Sequence, residues 1–474
     1  AGGWMIARHE GQVVLVSGAI PGERVVADIT RADRSDAYAT AIDILEPDAD
    51  RRPWPGDWTC GGATYAFISY SRQLALKGEV VADAFARIGR MTLDAPVDVA
   101  ASEERGYRMR ARLHVQEGRI GFFREATHEL CDPASTGQLA SETCAVLDQV
   151  RIRLKKLGAE HVSAIELAEN ATLTERVLHL QLRAAQGLKT SDYAPLAGTR
   201  GLTGLTCALS TGAATVRLGG EPYVHDMVAA DRGGTSLEAL LRRHVRSFFQ
   251  GNRYLLQTLA DTVRDTVAAG PDDEVLDLYS GVGLFAVALA SAGWRRVVAV
   301  EGDRSSAEDL AANAQPFDGR LAAHGGSVEE YLDRRAGSPA ATVILDPPRT
   351  GLSREALQAI VAQGTRQLVY VSCDVATLAR DARRIVDAGY TLGTVRAFDL
   401  FPNTPHVETL VTFTRGTPSA RNGCSPVEKK PEMRSLNARS CLFVAAVWLS
   451  GVIWNRRTGR RPASIFRQSS LPSW

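Results

Sequence analysis

Residues 368–381 read LVYVSCDVATLARD and join a buried strand to the start of a helix. The run 368–371 is apolar and β-favouring, with the length of a strand that is buried on both faces. From Val375 the apolar residues recur at helical spacing until Gly389 ends the segment. Cys373 therefore lies at the carboxyl end of a strand, which is where an open α/β sheet binds its ligands.

The position of Cys373 allows two interpretations. The dipole of the following helix would favour the thiolate and lower the thiol pKa from its free value of about 8.5, as a nucleophile requires. Buried cysteines without any chemical role are also common, and this residue alone does not distinguish the two cases. The other motifs of the chain have to decide between them.

The region 222–416 alternates strand-like and helix-like runs, which predicts a parallel α/β sheet. Within it, residues 274–290 (EVLDLYSGVGLFAVALA) take an apolar strand into a glycine turn and an apolar helix. Glycines allow the backbone to approach a ligand closely. Glu301 ends the next predicted strand about 20 residues later, where an acidic residue suits the hydroxyls of an adenosine ribose. This arrangement fits either a nicotinamide cofactor or S-adenosylmethionine.

The stretch 341–351 (ATVILDPPRTG) separates those two cofactors. A third buried strand ends at Asp346, and two prolines prevent a helix from starting directly after it. An Asp-Pro-Pro sequence at a strand end resembles the substrate-side loop of methyltransferases and has no counterpart in dehydrogenases. Residues 397–412 form a Pro-rich loop and a closing strand, whose ionisable groups are Asp399, His406 and Glu408.

The amino-terminal half of the chain predicts two further domains. Residues 1–47 alternate in short β-like runs around a Pro-Gly turn, which indicates a small OB-like β-barrel, clipped at its start, that binds oligonucleotides or is purely structural. Residues 60–215 follow a linker rich in proline and charge and read as an α+β domain, in which 163–170 and 175–182 are candidate sheet edges that the sequence does not decide. Residues 417–474 match neither pattern and predict a disordered tail.

Residues 107–115 (YRMRARLHV) place Arg108, Arg110 and Arg112 on one face of a strand. Arginines in such a row can hold phosphates or base edges, although a solvated strand face would have the same pattern. A net charge of +1 means that the chain has no overall excess of basic residues, so any surface that binds nucleic acid has to be a local patch.

Length and composition limit the class of protein. A chain of 474 residues is too long for one typical core, which predicts about two or three domains. With 45% hydrophobic and 23% charged residues, the chain reads as soluble and globular. Its seven scattered cysteines do not form the framework of a secreted protein, and the amino-terminus lacks the order of a signal peptide. We therefore expect a reducing, cytoplasmic location without membrane contact.

Five motifs follow one another along the chain: Gln250, DLYSGVGLF, ILDPPRTG, VYVSCDVATLARD and FPNTPHVET. In this order they resemble the RNA uracil-C5-methyltransferase family, which makes 5-methyluridine in transfer and ribosomal RNA. The stretch GQVVLVSGAIPGERVVADIT also resembles the TRAM RNA-binding module of many members. The resemblance implies a Rossmann-like class I methyltransferase domain at 222–416, a TRAM domain at 1–47, an α+β central domain at 60–215, and RNA as the partner.

The resemblance also implies a role for individual residues. Cys373 would be the nucleophile and Glu408 the base, and the arginine face would contact RNA through Arg110 and Arg112. S-adenosylmethionine would be held by Gln250, Tyr279, Glu301 and Asp346. A thiolate that adds to carbon 6 of uracil makes carbon 5 electron-rich enough to take a methyl group. A base must then remove the carbon-5 proton, which explains the need for both catalytic groups.

The sequence departs from the family in its cysteines and its cofactor loop as well as in its tail. Many members hold an iron–sulfur cluster on four cysteines, with a Cys-Gly-Gly-Cys element that here reads Cys60-Gly-Gly-Ala63. Because Cys131 and Cys144 do not complete the set, we predict that the chain has no such cluster and no other metal site. Leu284 stands where some relatives have an asparagine in the cofactor loop.

Two rival functions stay open on the sequence. The chain could methylate an exocyclic amine of a base, for which Asp-Pro-Pro is also suitable and a thiol nucleophile is not required. It could alternatively be an RNA-binding factor with a degenerate site. The uracil interpretation alone predicts that Cys373→Ala loses turnover and that RNA containing 5-fluorouridine forms a covalent adduct.

Overall fold

The computed structural model describes residues 3–9, 11–33, 36–184, 188–209, 214–232, 235–335, 337–416 and 451–454. The chain divides into two compact units. Residues 3–51 and the strand Gly451–Trp454 belong to the first unit, and the second unit begins at Arg52. The rest of the segment 417–474 lies outside the described residues, so its predicted disorder stays a prediction.

The first unit is a small β-structure. Its strands are β1 (Met5–His9), β2 (Gln12–Ser17), β3 (Arg24–Ala32) and β4 (Asp36–Glu46). They lie in the order β1-β2-β4-β3, and Gly451–Trp454 pairs in parallel with β3. The strands on either side of the Pro-Gly turn, β2 and β3, are therefore separated by β4. The buried carboxylate of Glu23 holds this turn, because it accepts hydrogen bonds from the backbone of Ile20 and Asp48.

The second unit begins with an α+β region. Its elements are α1 (Tyr70–Arg87), β5 (Val99–Ala100), β6 (Arg110–Gln116), β7 (Arg119–Phe123), β8 (Leu130–Cys131), α2 (Ser141–Leu157), β9 (Val162–Glu169), β10 (Arg176–Leu182), β11 (Gly204–Leu209) and β12 (Val216–Gly220). Short 3₁₀ helices occur at Pro133–Thr136, Ala159–His161 and Thr190–Gly198. Except for β5, these strands form a sheet in the order β12-β11-β10-β9-β6-β7-β8.

The interpretation of 163–170 and 175–182 as sheet edges is wrong, because β9 and β10 lie in the middle of this sheet. The polar residues of the two strands give them the pattern of an edge. In the structure, however, those residues bind neighbouring strands: His179 is buried and its Nδ1 lies 2.8 Å from Oγ1 of Thr206 in β11.

The methyltransferase-like sheet follows. Its elements are β13 (Tyr223–Arg232), β14 (Thr235–His244), α3 (Leu256–Thr266), β15 (Glu274–Leu278), α4 (Leu284–Ser291), β16 (Arg296–Glu301), α5 (Arg304–Ala314), the 3₁₀ helix Gln315–Phe317, β17 (Leu321–Gly325), α6 (Val328–Arg334), β18 (Thr342–Leu345), α7 (Arg354–Ala362), β19 (Gln367–Ser372), α8 (Val375–Asp387), β20 (Tyr390–Phe398) and β21 (Glu408–Arg415). The predicted alternation of strands and helices is confirmed from α3 onward, as is the helix that starts at Val375. It is wrong for residues 223–244, where β13 and β14 follow each other and pair as an antiparallel hairpin.

The order of strands creates the crevice where a ligand can bind. The sheet runs β17-β16-β15-β18-β19-β21-β20-β5, and β13 and β14 form a separate hairpin. Strands β15 to β19 are parallel, whereas β21 is antiparallel to both of its neighbours. The direction of winding reverses between β15 and β18, which opens a crevice at their carboxyl ends. The residues that end or follow the parallel strands here are Tyr279, Glu301, Asp346 and Cys373.

A disulfide joins Cys60 to Cys131, and both residues are buried. The loop that carries Cys60 is also bound to β7, since the Gly61 N–H donates to the Phe123 carbonyl at 2.9 Å. The free cysteines of the described residues are Cys144, Cys207 and Cys373. An iron–sulfur cluster needs four thiolates, and two linked sulfurs cannot serve as ligands. The absence of a cluster stays a prediction, which iron and sulfide assays on anaerobically purified protein would test.

We predict that Cys131→Ala lowers the free energy of unfolding. The disulfide links residues 71 positions apart, and closing a loop of this length stabilises a fold by up to about 4 kcal/mol. Urea unfolding of the unreduced protein measures the loss. Cys144→Ala, which removes a free thiol, is the matched control and should change the value by less than about 1 kcal/mol. Peptide mapping without reductant that found Cys60 and Cys131 as free thiols would contradict the pairing.

Candidate active site

The loop between β15 and α4 is shaped by two glycines in the left-handed region. Gly281 has a φ of +55°, and Gly283, which precedes α4, has a φ of +94°. A Cβ at Gly283 would lie 2.6 Å from Cδ1 of Leu310, so a larger residue does not fit. The Gly281 N–H donates to Oε2 of Glu301 at 2.7 Å. The acidic residue predicted to bind a ribose therefore lies directly beside the glycine loop.

A buried carboxylate that the sequence analysis missed, Asp277, lies next to this loop. One of its oxygens accepts a hydrogen bond from the Ala286 N–H at 3.1 Å, and its Oδ1 has no hydrogen-bond partner within the described structure. Burial raises the pKa of Asp277 well above its ordinary value, and the charges of Asp346 and Glu301 add to the shift. An acidic residue inside the apolar strand EVLDL was the signal that could have revealed it.

Asp346 and Gln250 meet at the end of β18, where Nε2 of Gln250 donates to Oδ2 of Asp346 at 3.2 Å. Burial, together with the charge of Glu301, raises the pKa of Asp346 to about 7. Tyr279 follows β15 with a left-handed φ of 61°, and burial raises the pKa of its hydroxyl. Gln250 is thus hydrogen-bonded to Asp346, and the charge of Glu301 acts on Asp346. Tyr279 lies in the loop that follows β15.

Cys373 directly follows β19, and the side chain of Asp374 caps the first turn of α8. The register of β19 against β21 pairs Ser372 with Thr409. The next position along both strands therefore places Cys373 across from Glu408. The structure brings together the two residues that the resemblance implies as nucleophile and base.

The thiol of Cys373 has a pKa raised to about 12, first by burial and then by the charges of Glu408 and Asp346. The prediction that the helix dipole lowers this pKa is therefore wrong, because burial and two carboxylates outweigh the amino-terminus of one helix. Arg349 acts in the opposite direction, since its guanidinium donates a hydrogen bond to the sulfur and lowers the pKa.

Glu408 is only 4% exposed. Burial raises its pKa well above the ordinary value, the charge of Asp346 raises it further, and Arg349 again opposes the shift. Arg349 is the second residue that the sequence analysis missed, although it follows the two prolines of ILDPPRTG. The signal that could have revealed it is its place three residues after Asp346, at the end of a predicted strand. The candidate site therefore contains several carboxyl groups and one arginine, Arg349, which lowers the pKa of both the Cys373 thiol and Glu408.

Other predicted residues are not brought into this cluster. Asp399 is buried in an ion pair with Lys77 of α1, with 2.5 Å between Oδ1 and Nζ. Arg110 and Arg112 lie on β6 of the central sheet. Nη2 of Arg112 donates to Oε1 of Gln181 at 2.7 Å, and Arg110 makes a long contact of 3.5 Å to a backbone carbonyl. Both arginines are half-buried.

Known proteins resemble this chain over most of its length. The tRNA (uracil-5-)-methyltransferase family model matches residues 337–416, and the TRAM domain model matches residues 2–42. The 23S rRNA (uracil(1939)-C(5))-methyltransferase RlmD of Alkalilimnicola ehrlichii is 33% identical over 442 residues, which cover 86% of this chain and 93% of the relative. The chain belongs to the RNA uracil-C5-methyltransferase family.

A further relative and a solved structure are also similar to this RNA (uracil-5-)-methyltransferase. An uncharacterized RNA methyltransferase of Streptomyces coelicolor is 32% identical over 428 residues, covering 86% of this chain and 89% of the relative. The crystal structure of Pyrococcus abyssi tRNA (uracil-54, C5)-methyltransferase in complex with S-adenosyl-L-homocysteine has a TM-score of 0.64 at 23% identity, covering 85% of this chain and 95% of that chain. This likeness confirms the predicted class I methyltransferase fold.

The family is S-adenosylmethionine-dependent and modifies RNA, as the motifs implied. The amino-terminal TRAM domain is confirmed by its family model. Within the ranges that the structure describes, none of the helices of this methyltransferase combines the length and apolar character needed to cross a membrane.

We predict that Arg349→Met shifts the pH dependence of Cys373 alkylation to higher pH. Removal of the guanidinium that lowers the thiol pKa raises that pKa, so the thiolate fraction at any fixed pH becomes smaller. Below the pKa, alkylation slows about tenfold for each pKa unit added. Iodoacetamide labelling followed by mass spectrometry of the Cys373 peptide measures the rate. Arg349→Lys, which keeps the charge, is the control, and an unchanged profile in Arg349→Met would show that Arg349 does not act on the thiol.

Proposed function

We propose that this methyltransferase transfers a methyl group from S-adenosylmethionine to carbon 5 of a uridine in tRNA or rRNA, with Cys373 as nucleophile and Glu408 as base. The observation that supports this most directly is the position of the two residues opposite each other on β19 and β21. The relative named RlmD and the neighbour from Pyrococcus abyssi are both named for reaction at carbon 5 of uracil in RNA, which agrees with the proposal.

The residues around the glycine loop suit S-adenosylmethionine. A Cβ built on Gly281 would have no atom nearer than 3.9 Å, so there is space beside the loop. Glu301 and Asp346 place carboxyl groups at the carboxyl ends of β16 and β18, and the buried Asp277 lies in β15 next to the loop. S-adenosylmethionine supplies a methyl group on a positively charged sulfur, which suits this acidic surrounding. We propose that its pocket is lined by Gln250, Tyr279, Glu301 and Asp346, with Glu301 at the ribose hydroxyls.

Cys373 acts first in the proposed reaction. The sulfur forms a bond to carbon 6 of uracil, and the electron pair of the ring double bond moves towards the carbonyl, so that carbon 5 becomes nucleophilic. A pKa of about 12 keeps the resting thiol protonated; its proton passes to water before the sulfur adds, and the positive charge of Arg349 stabilises the thiolate that remains. Carbon 5 then takes the methyl group while the sulfur stays bound to carbon 6. Asp346 can hydrogen-bond the base edge and hold the ring in place.

Glu408 completes the reaction by taking the proton from carbon 5. The electron pair of that carbon–hydrogen bond restores the ring double bond, and the sulfur of Cys373 leaves carbon 6 as a thiolate. A carboxylate whose pKa is raised accepts a proton more readily than an ordinary one, so burial makes Glu408 a stronger base. The base and the nucleophile act on adjacent carbons of one ring, which requires that they lie close together.

RNA contacts are proposed for Arg110 and Arg112 on the central sheet and for the TRAM domain. Both arginines lie half-buried on β6, and guanidinium groups in such a row can donate to phosphates or base edges. The target uridine must leave its stack to reach Cys373, which costs a few kcal/mol and favours unpaired loops. A cytoplasmic location, where such RNA is met, stays a prediction.

The rival reaction at an exocyclic amine requires neither a thiol nucleophile nor removal of a carbon-bound proton. We predict that Cys373→Ala abolishes both methyl transfer and the covalent adduct with RNA containing 5-fluorouridine, because no sulfur then adds to carbon 6. Gel electrophoresis under denaturing conditions and transfer of radioactive methyl measure the two losses. S-adenosylmethionine affinity by calorimetry should stay within about twofold, as control for folding. A Cys373→Ala variant that methylates RNA at the wild-type rate would favour the amine reaction.

We predict a different outcome for Glu408→Gln. The sulfur still adds and carbon 5 still takes the methyl group, but the carbon-5 proton is not removed. Turnover should fall at least about 100-fold, as for loss of a general base. The covalent complex with ordinary RNA and S-adenosylmethionine should accumulate on a denaturing gel. Slow turnover without accumulation of this complex would argue against Glu408 as the base.

A further inference from the structure

Helix α1 holds the loop that leads to Glu408, although it precedes the methyltransferase sheet by a long stretch of sequence. The loop, residues 399–407, joins β20 to β21. Its polar residues Asp399 and Asn403 are 0% and 1% exposed, and each is bound by a side chain of α1. Glu408, the first residue of β21, therefore follows directly on a loop whose support comes from another part of the fold.

Gln73 binds Asn403 with both ends of its amide. Its Nε2 donates to Oδ1 of Asn403 at 2.9 Å, and its Oε1 accepts from the Asn403 N–H, also at 2.9 Å. The same Nε2 donates to the carbonyls of Tyr65 and Ile68 at 3.1 and 3.0 Å. Gln73 is 0% exposed, and Asn403 has a left-handed φ of 63°. This contact fixes the side chain and the backbone of Asn403 together.

Lys77 lies one turn further along α1 and binds the start of the same loop. Its Nζ donates to Oδ1 of Asp399 at 2.5 Å and to the carbonyl of Phe401 at 3.2 Å. Arg52 adds a third contact, since its Nη2 donates to Oδ1 of Asn403 at 2.8 Å. Lys77 thus holds the loop at Asp399. Gln73 and Arg52 hold it at Asn403.

We propose that Gln73 is a positioning residue for Glu408 and acts through Asn403. The inference rests on the proposed role of Glu408 as base. Pro402 and Pro405 flank Asn403 and restrict the loop, so a shift at Asn403 is transmitted to the start of β21. A base must lie within hydrogen-bond distance of the proton it takes, and a misplacement of about 1 Å can slow a reaction roughly 100-fold.

The nucleophile has a support that does not involve the loop. Cys373 follows β19, which pairs with β21 on one side and with β18 on the side away from the loop. Loss of Gln73 should therefore disturb removal of the carbon-5 proton and leave addition of the sulfur intact. A residue that serves stability alone would affect both steps alike.

The test is Gln73→Met, which removes these hydrogen bonds and keeps the length of the side chain. With ordinary RNA and S-adenosylmethionine, the covalent complex should form within about twofold of the wild-type rate. Release of methylated RNA should slow by about 10- to 100-fold, so that the complex accumulates on a denaturing gel. The kcat and the KM for RNA should fall together, because slowing a step after the covalent complex has formed lowers both.

The matched control is Gln367→Met. Gln367 is also buried, and it bonds Ala268, Thr342 and Thr266 near the amino-terminal end of β19, away from Glu408. Its loss should lower thermal stability without accumulation of the covalent complex. Accumulation in both variants to the same extent would overturn the positioning role.

Asn403→Gly tests the same contact from the other side. Glycine tolerates the left-handed backbone, and the variant lacks the side chain that Gln73 binds, so the covalent complex should accumulate as in Gln73→Met. Glu408→Gln is the reference. If it accumulates the complex and neither Gln73→Met nor Asn403→Gly does, the positioning role is wrong. If Glu408→Gln itself accumulates none, the proposed function of Glu408 fails instead.

Discussion

The antiparallel pairing of β21 with β19 brings two ionisable groups, the Cys373 thiol and the Glu408 carboxyl, into one buried place. Burial raises the pKa of both groups, and the charge of Glu408 raises the pKa of the thiol further. Such a pair would weaken a purely structural site. It persists because the backbone pairs from Gln367 to Ser372 determine the register of β21, whatever lies at its end. The proposed reaction needs this closeness, since sulfur and base act on neighbouring carbons.

The same sheet collects further negative charge at its carboxyl edge. Parallel strands that start at one edge must end at the other, so the acidic residues at or near the ends of β15, β16 and β18 are gathered together. Burial raises the pKa values of Asp277 and Asp346, and the charges of their acidic neighbours raise them further. Arg349 offsets part of this negative charge at the thiol. A ligand that carries a positive charge would offset more, and this agrees with a sulfonium methyl donor as cosubstrate.

Support for the base comes from outside the sheet that carries it. Strands β19 and β21 set the position of Glu408 along the sheet, and α1 holds the loop before it through Gln73 and Lys77. Buried amide and charged groups are costly to leave unpaired, so the bonds from Gln73 and Lys77 favour the arrangement in which they form, although Nδ2 of Asn403 and Oδ2 of Asp399 have no hydrogen-bond partner among the described residues. These bonds therefore specify one arrangement of the loop, which a set of apolar contacts of the same size would specify less well.

Local pattern in the sequence determined the strand that ends at Cys373, the helix from Val375, the glycine turn and the acidic end of β16. These features depend on periodicity and on conformational limits within a few residues, so they can be read without the fold. The motifs in their order also indicated the family. The proposed roles of Cys373 and Glu408 came only from the resemblance of those motifs to the family.

Only the tertiary structure decided the contacts that join distant segments. The Cys60–Cys131 disulfide spans 71 residues, and the bond from Gln73 to Asn403 spans 330. The thiol pKa of Cys373 also depended on such contacts. The helix dipole was visible in the sequence, but the opposing burial and the Glu408 charge arise from the pairing of β19 with β21. Local preference acts within one segment, whereas burial and charge depend on which segments pack together.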